Sequence, residues 1–215
     1  MKTKLIIIGA GSHSKSVITI LKNSKEFTIS GILDWSESFN PDEVICGVSV
    51  VGLANKENTI IIDELLKEHN FFIAVGDNAK RKHIFNILHS KGASLISAIS
   101  NTAIIADDFF VSESTMVGLG VIINSNVSIK QNSIINSGAI VEHDVKVGSN
   151  THIGPNSVLC GSSNIGSNVL VGAGSVVLPK VNIADNIIIG AGSVVTGDLC
   201  NNNSVYIGSP AKLRK

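Results

Sequence analysis

Two histidines, His143 and His152, stand in the second half of the chain, and an aspartate, Asp144, follows the first directly. Imidazole titrates near neutral pH, so it can take a proton from an attacking amine or hydroxyl. A carboxylate beside the ring can fix its tautomer and stabilise its charged form. These types fit acyl transfer to a nucleophile. They do not fit a catalytic zinc, which needs three protein ligands and an open position; the two histidines are nine residues apart with no third near them. Taken alone, His143-Asp144 reads equally as a base with its carboxylate and as two solvated side chains.

A second group lies near the N-terminus. Gly9-Ala10-Gly11-Ser12-His13-Ser14 follows the apolar run Leu5–Ile8 and opens a helical pattern. Backbone amides and the helix dipole at such a turn favour a phosphate. Ser14 stands where the dinucleotide pattern has its third glycine, so NAD binding stays open as well. Asp34, closing the next strand, can bind a ribose hydroxyl in either case. Gly76, Asn78 and Arg81 lie at a later strand-to-helix turn and can complete a diphosphate site. Asn78 reads equally as a helix cap, and Arg81 as a solvated charge.

The elements that must position these groups divide the chain in two. Residues 1–95 alternate strands (4–8, 28–33, 48–51, 71–75) with helices (15–22, 58–69 after an Asn cap at Asn58, and one reaching about His89). This order predicts a small parallel sheet with helices on its faces. From Ile99 an aliphatic residue recurs every six positions, through Val117, Ile135, Ile153, Val171 and Ile189 to Val195, seventeen times without slippage. Six is neither the helix nor the strand period; it is that of a hexapeptide solenoid. Large aliphatics fill the axis and small residues four positions later pack beside them. Glycines directly after the stops (Gly118, Gly148, Gly154, Gly166, Gly172, Gly190) are expected to turn the corners at positive φ. With three repeats to a turn, the prism is on the order of 25 Å long. His143, two positions after the inward Val141, is expected on the outside.

The aliphatic-Gly-x-x-small-x array resembles the left-handed β-helix of the hexapeptide-repeat acyltransferases. The further markers Gly9–His13, Ala74–Asn78, Val141-Glu142-His143-Asp144, His152 and Ile207-Gly208-Ser209-Pro210-Ala211-Lys212 resemble one branch, the sialic acid O-acetyltransferase/bacterial nucleotide-sugar N-acetyltransferase group. The resemblance covers essentially the whole chain. It implies an α/β N-terminal Rossmann-like nucleotide-sugar domain (1–95) and an all-β C-terminal left-handed parallel β-helix with its tail (96–215), working as a homotrimer. It implies acetyl-CoA as co-substrate and a nucleotide-linked 4-amino-6-deoxy sugar of surface glycans as acceptor. In its terms His143 is the general base, Asp144 its orienting partner, and His152 a contact of the acetyl-CoA thioester end. Asn136 lies near the acceptor sugar. Gly11, Ser12, His13, Asp34, Gly76, Asn78 and Arg81 face the nucleotide. Gly161, Gly172, Ala173 and Gly190 line the donor groove, and Lys180 or Lys212 meets the donor phosphates.

Composition limits the alternatives. The 215 residues carry 17 basic and 17 acidic side chains, a zero net charge without the basic excess of a nucleic-acid binder. No apolar run spans a bilayer, and the N-terminal one is too short for a signal sequence. Three scattered cysteines, Cys46, Cys160 and Cys200, suit a reducing cytoplasm and offer no metal spacing. Three rivals remain: O-acetylation of sialic or a related nonulosonic acid with the same base and donor, a non-catalytic solenoid, and an NAD-linked oxidoreductase that leaves the solenoid without a role.

Overall fold

A computed structural model of the protein describes residues 2–22, 24–36, 40, 42–54 and 60–214. It separates into two compact units, 1–98 and 99–215.

The first unit runs β1 (Thr3–Ile8), α1 (Ser12–Leu21), β2 (Phe27–Asp34), β3 (Val44–Ile45), β4 (Val48–Leu53), α2 (Ile60–Leu65), β5 (His69–Ile73) and α3 (Asn78–Ser90). The sheet order is β3-β4-β2-β1-β5, parallel except for the β3–β4 hairpin. Leu5, Ile7 and Ile8 are fully buried, as a strand covered on both faces requires. Because β1 pairs with β2 on one side and β5 on the other, the chain reverses its winding there. A crevice opens at that point, beyond the carboxyl ends of the strands.

Two local details depart from the sequence reading. The helix expected over 58–69 is the short α2, because His69 and Asn70 pair with Lys4 and Leu5 in β5; the cap expected at Asn58 lies outside the described residues. The β3–β4 hairpin was not foreseen. It turns at Cys46 and Gly47, both at positive φ (50° and 82°), a turn usually written with Asn-Gly or Asp-Gly.

The second unit is a three-faced prism of two-residue strands stacked in parallel, the left-handed β-helix. Each strand pairs with the one eighteen residues on, as Ile122 with Ile140, Val158, Val176 and Val194 in turn. From Val117 to Val195 the six-residue stops are at most 3% exposed and form one continuous core. The small inward hydroxyls are bonded to the next coil: Ser133, Thr151, Ser157 and Ser175 donate to the carbonyls of Gly148, Gly166, Gly172 and Gly190 at 2.8–3.0 Å. These four buried hydroxyls therefore find partners without breaking the apolar axis, whereas the buried Ser163 hydroxyl has none among the described residues.

The corners are not where the sequence placed them. Every sixth residue from Ser114 to Gly192 has positive φ, through Asn126, Gly138, Asp144 and Asn156. That position is three residues after each stop, and Asn, Ser, Asp and Lys fill it as well as Gly. The glycines directly after the stops answer to crowding instead. A Cβ on Gly148 would lie 2.5 Å from the Gly166 carbonyl carbon, and one on Gly154 2.6 Å from the Val171 oxygen.

The three faces differ outside. The first presents Ile104, Ile122, Ile140, Val158, Val176 and Val194. The second presents Phe110, Ser128, Lys146, Asn164 and Asn182, and the third His152, Leu170 and Ile188, with Met116 and Ile134 of the same row buried. No described helix is long and apolar enough to cross a membrane.

Candidate active site

His143 and Asp144 occupy the corner between the first and second faces. Asp144 has φ 61°, a left-handed conformation that Asp tolerates better than most side chains. It turns the carboxylate back so that His143 Nδ1 meets Asp144 Oδ2 at 2.9 Å, with both side chains open to solvent. One coil back, Asn126 Nδ2 donates to Asp144 Oδ1. The hydrogen bond from His143, then that from Asn126, hold the Asp144 carboxyl below its ordinary pKa. In the tautomer with Nδ1–H directed at the carboxylate, Nε2 carries the lone pair, an arrangement in which the ring can accept a proton. One coil on, Gly161 lies under the ring: a Cβ there would sit 2.7 Å from Cε1 and Nε2. Gly161 is thus the floor of the imidazole. A polar hollow of about 380 Å3 adjoins Asp144, lined among others by Asn126, Lys146 and Asn182.

His152 and Asn136 form a second pair, on the third face. Asn136 Oδ1 accepts the Ser137 N–H at 2.8 Å, so its NH2 points to His152 Nε2, 3.1 Å away. Nε2 accepts, and the ring proton sits on Nδ1. His152 lies in a strand on the flat of the face, between Ile134 and Leu170. The third face is opposite the corner of His143. The two histidines of one chain therefore do not meet.

Two of the four small residues expected along the donor groove are engaged by the coil ladder. The amides of Gly172 and Gly190 donate to Ile189 O and Tyr206 O. Ala173 is exposed, and among the described residues no hydrogen bond uses its N–H. Lys180 and Lys212 are exposed. The tail carrying Lys212 folds back onto the last coil: Ala211 N donates to Val194 O, and Val194 N to Gly208 O.

In the first unit the loops after β1, β2 and β5 enclose a cleft of about 470 Å3. Gly11, Ser12, His13, Asp34 and Gly76 line it, together with Trp35, Asp77 and Lys80. Gly9 holds φ 106°, and a Cβ there would press on Val75 at 2.9 Å, so this turn requires glycine. Asp34 Oδ1 accepts the Ala10 N–H and Oδ2 the Ser36 hydroxyl, which leaves each oxygen a second lone pair for a ligand. Burial, and then the charge of Arg81, lower the His13 pKa to about 4, so its ring is neutral.

Arg81 and Asn78 do not line the cleft. Arg81 is 1% exposed, and its guanidinium donates to the carbonyls of Val75 and Gly76 and to Asn78 Oδ1. Asp77, not Asn78, caps α3, accepting the Lys80 N–H at 2.8 Å. Arg81 braces the loop from beneath, and among the described residues lining the cleft the cation is Lys80. Among the described residues no group of three or more His, Cys, Asp or Glu could hold a metal ion.

Parts of both units match known families. Residues 4–88 match the PglD N-terminal domain, and residues 126–161 and 162–197 match the bacterial transferase hexapeptide (six repeats). Perosamine N-acetyltransferase from Caulobacter crescentus, solved with CoA and GDP-perosamine, is 34% identical; the match covers 99% of this chain and 97% of that one, with a TM-score of 0.88. The acetyltransferase domain of PglB from Neisseria gonorrhoeae, solved with acetyl coenzyme A, is 24% identical over 100% of both chains (TM-score 0.89). WeeI from Acinetobacter baumannii is 20% identical, covering 99% of this chain and all of its own (TM-score 0.80). These last two share the fold. No curated protein sequence matches.

Proposed function

The chain belongs to the hexapeptide-repeat acyltransferases that carry a PglD N-terminal domain, and we propose that it moves acetyl from acetyl-CoA to the amine of a nucleotide-linked 4-amino-6-deoxy sugar. The observation that carries this reading is the solvent-exposed imidazole of His143, held by Asp144 at 2.9 Å, with no hydrogen bond to Nε2 among the described residues. In the reaction the amine attacks the thioester carbonyl, so a C–N bond forms. Nε2 takes the amine proton, the C–S bond breaks, and the CoA thiolate leaves and is protonated by the imidazolium. Asp144 stabilises the charged ring between these steps. No acyl-enzyme is needed.

The cleft of the first unit suits the nucleotide. Phosphates meet the amides at the N-terminus of α1 and the charge of Lys80, and Asp34 takes the ribose hydroxyls. The 34% identical relative, crystallised with GDP-perosamine and also in forms with one histidine replaced, supports a GDP-linked amino sugar as the first acceptor to try. The exposed Ala173 N–H and Lys180 are the groups we assign to the donor.

The assembly we propose is a homotrimer. His143 and His152 of one prism face opposite ways, and the first face is an aliphatic stripe of the kind that marks an interaction site. A neighbouring copy laid on this stripe can bring its own third face to the corner of His143. The three cysteines are unpaired, in keeping with a reducing cytoplasm.

The test is CoA release from acetyl-CoA in the presence of GDP-, UDP- and dTDP-linked 4-amino-4,6-dideoxy sugars and free sialic acid. Release with a nucleotide-linked amino sugar, and none with sialic acid, is expected. Release with sialic acid alone would replace this proposal by O-acetylation.

A further inference from the structure

The nucleotide cleft contains a group that the phosphate- and ribose-binding residues do not explain. Trp35, the single tryptophan of the chain, directly follows Asp34 and is half-buried on the cleft wall. Its indole packs against the apolar core that includes Leu33 and Ile84. The ring of His83 meets it at 79° with centroids 6.4 Å apart, an edge-type contact. The indole is therefore held in place on one side while part of it stays open to the cleft.

The part of the indole open to the cleft has no apolar partner among the described residues, and its surroundings define what would cover it. Polar groups line the near end of the cleft: the amides of Gly11 and Ser12, then Asp34 with open lone pairs. The indole comes one residue beyond the ribose-binding carboxylate. A ligand with a diphosphate at α1 and a ribose at Asp34 reaches Trp35 with the next part of its structure, the base.

We propose that Trp35 is the platform on which the nucleobase of the sugar nucleotide stacks. This rests on the nucleotide-sugar reading above. Stacking on a fixed indole depends on aromatic area more than on a hydrogen-bond pattern. A purine, with two fused rings, covers more of it than a pyrimidine. The indole is immobilised before the ligand arrives, so little ordering cost opposes the stack.

The position gives a direct optical readout, since all tryptophan fluorescence comes from Trp35. The protein is titrated with GDP, UDP, dTDP, inorganic pyrophosphate, ribose 5-phosphate and acetyl-CoA. A saturable quench is expected with GDP, a weaker one with UDP and dTDP, and none with pyrophosphate, ribose 5-phosphate or acetyl-CoA. In steady-state assays Trp35→Leu raises KM for the nucleotide sugar about 10-fold, the loss expected for one stacked base, with kcat and KM for acetyl-CoA unchanged. Trp35→Phe restores most of the loss. A quench that needs the whole sugar nucleotide and not GDP would assign the indole to the amino sugar and overturn the proposal. So would a quench by acetyl-CoA alone, or turnover of nucleotide sugars with unchanged fluorescence and unchanged KM in Trp35→Leu. If GDP quenches but no nucleotide sugar is acetylated, the platform stands and the acceptor assignment fails.

Discussion

The imidazole of His143 lies on Gly161, one coil further along the prism, close enough that a single methyl group on Gly161 would stand 2.7 Å from Cε1 and Nε2. The backbone of Gly161 is not in the left-handed region, so alanine is excluded only by the ring above it. Gly161→Ala is expected to displace the ring while leaving the fold intact. The kcat should fall about 100-fold, within the range for a misplaced acid-base group, with both KM values little changed. Steady-state kinetics decide this. A raised KM for acetyl-CoA with kcat preserved would mean that Gly161 serves the donor instead.

Asp144 offers a second test, because Asn tolerates its positive φ at least as well as Asp. Asp144→Asn should fold normally, yet lose the charge that stabilises the imidazolium, lowering kcat roughly 10- to 100-fold. The Asp144 carboxyl is held below its ordinary pKa by His143 and then Asn126, so the charge that Asp144→Asn removes is present at neutral pH. Steady-state kinetics measure the loss; a kcat within about twofold of the unaltered protein would show that the carboxylate does not assist the imidazole.

The aliphatic stripe on the first face predicts an assembly defect. Val158→Glu puts a charge in the middle of that stripe without touching the inward core. Sedimentation should then find monomers with an unchanged circular dichroism spectrum, and acetyl transfer should be lost. Trimers that survive Val158→Glu would assign the stripe another role.

His13 predicts how stability responds to acid. Its folded pKa is lowered from 6.5 to about 4 by burial and then by Arg81. Between these values the unfolded chain binds the proton and the folded one does not, so stability falls as pH drops through that window. The loss amounts to roughly 3 kcal/mol once the pH is below both values. Thermal unfolding across this range should show the slope, and His13→Gln should flatten it. An equal slope in both proteins would rule out His13 as its source.

The six-residue register was legible because each stop is a side chain that must be buried, and burial at a fixed period leaves a compositional trace. The corners were harder to read. Asn126, Asp144 and Lys180 all adopt positive φ, and only some of the residue types there advertise it. Glycine was visible one position after the stops, where its reason is the close approach of neighbouring coils. The His143–Asp144 contact was legible because the residues are adjacent. The His152–Asn136 pair was not: three repeats to a turn already imply an eighteen-residue coil, but a contact between positions sixteen apart depends on where each side chain leaves the backbone, which the period alone does not give. Arg81 carried no sign that its guanidinium faces inward, because burial of a charge is decided by the carbonyls of Val75 and Gly76 that surround it. Lys80, one residue earlier, takes the position at the cleft.

The central claim is that His143 removes the proton during acetyl transfer. Its most direct test is kcat for CoA release in His143→Ala, with acetyl-CoA and a nucleotide-linked 4-amino sugar both saturating, near neutral pH. The expected result is a loss on the order of 1000-fold with assembly and GDP binding unchanged. A rate within about twofold of the unaltered protein, well inside the scatter of ordinary surface substitutions, would contradict it.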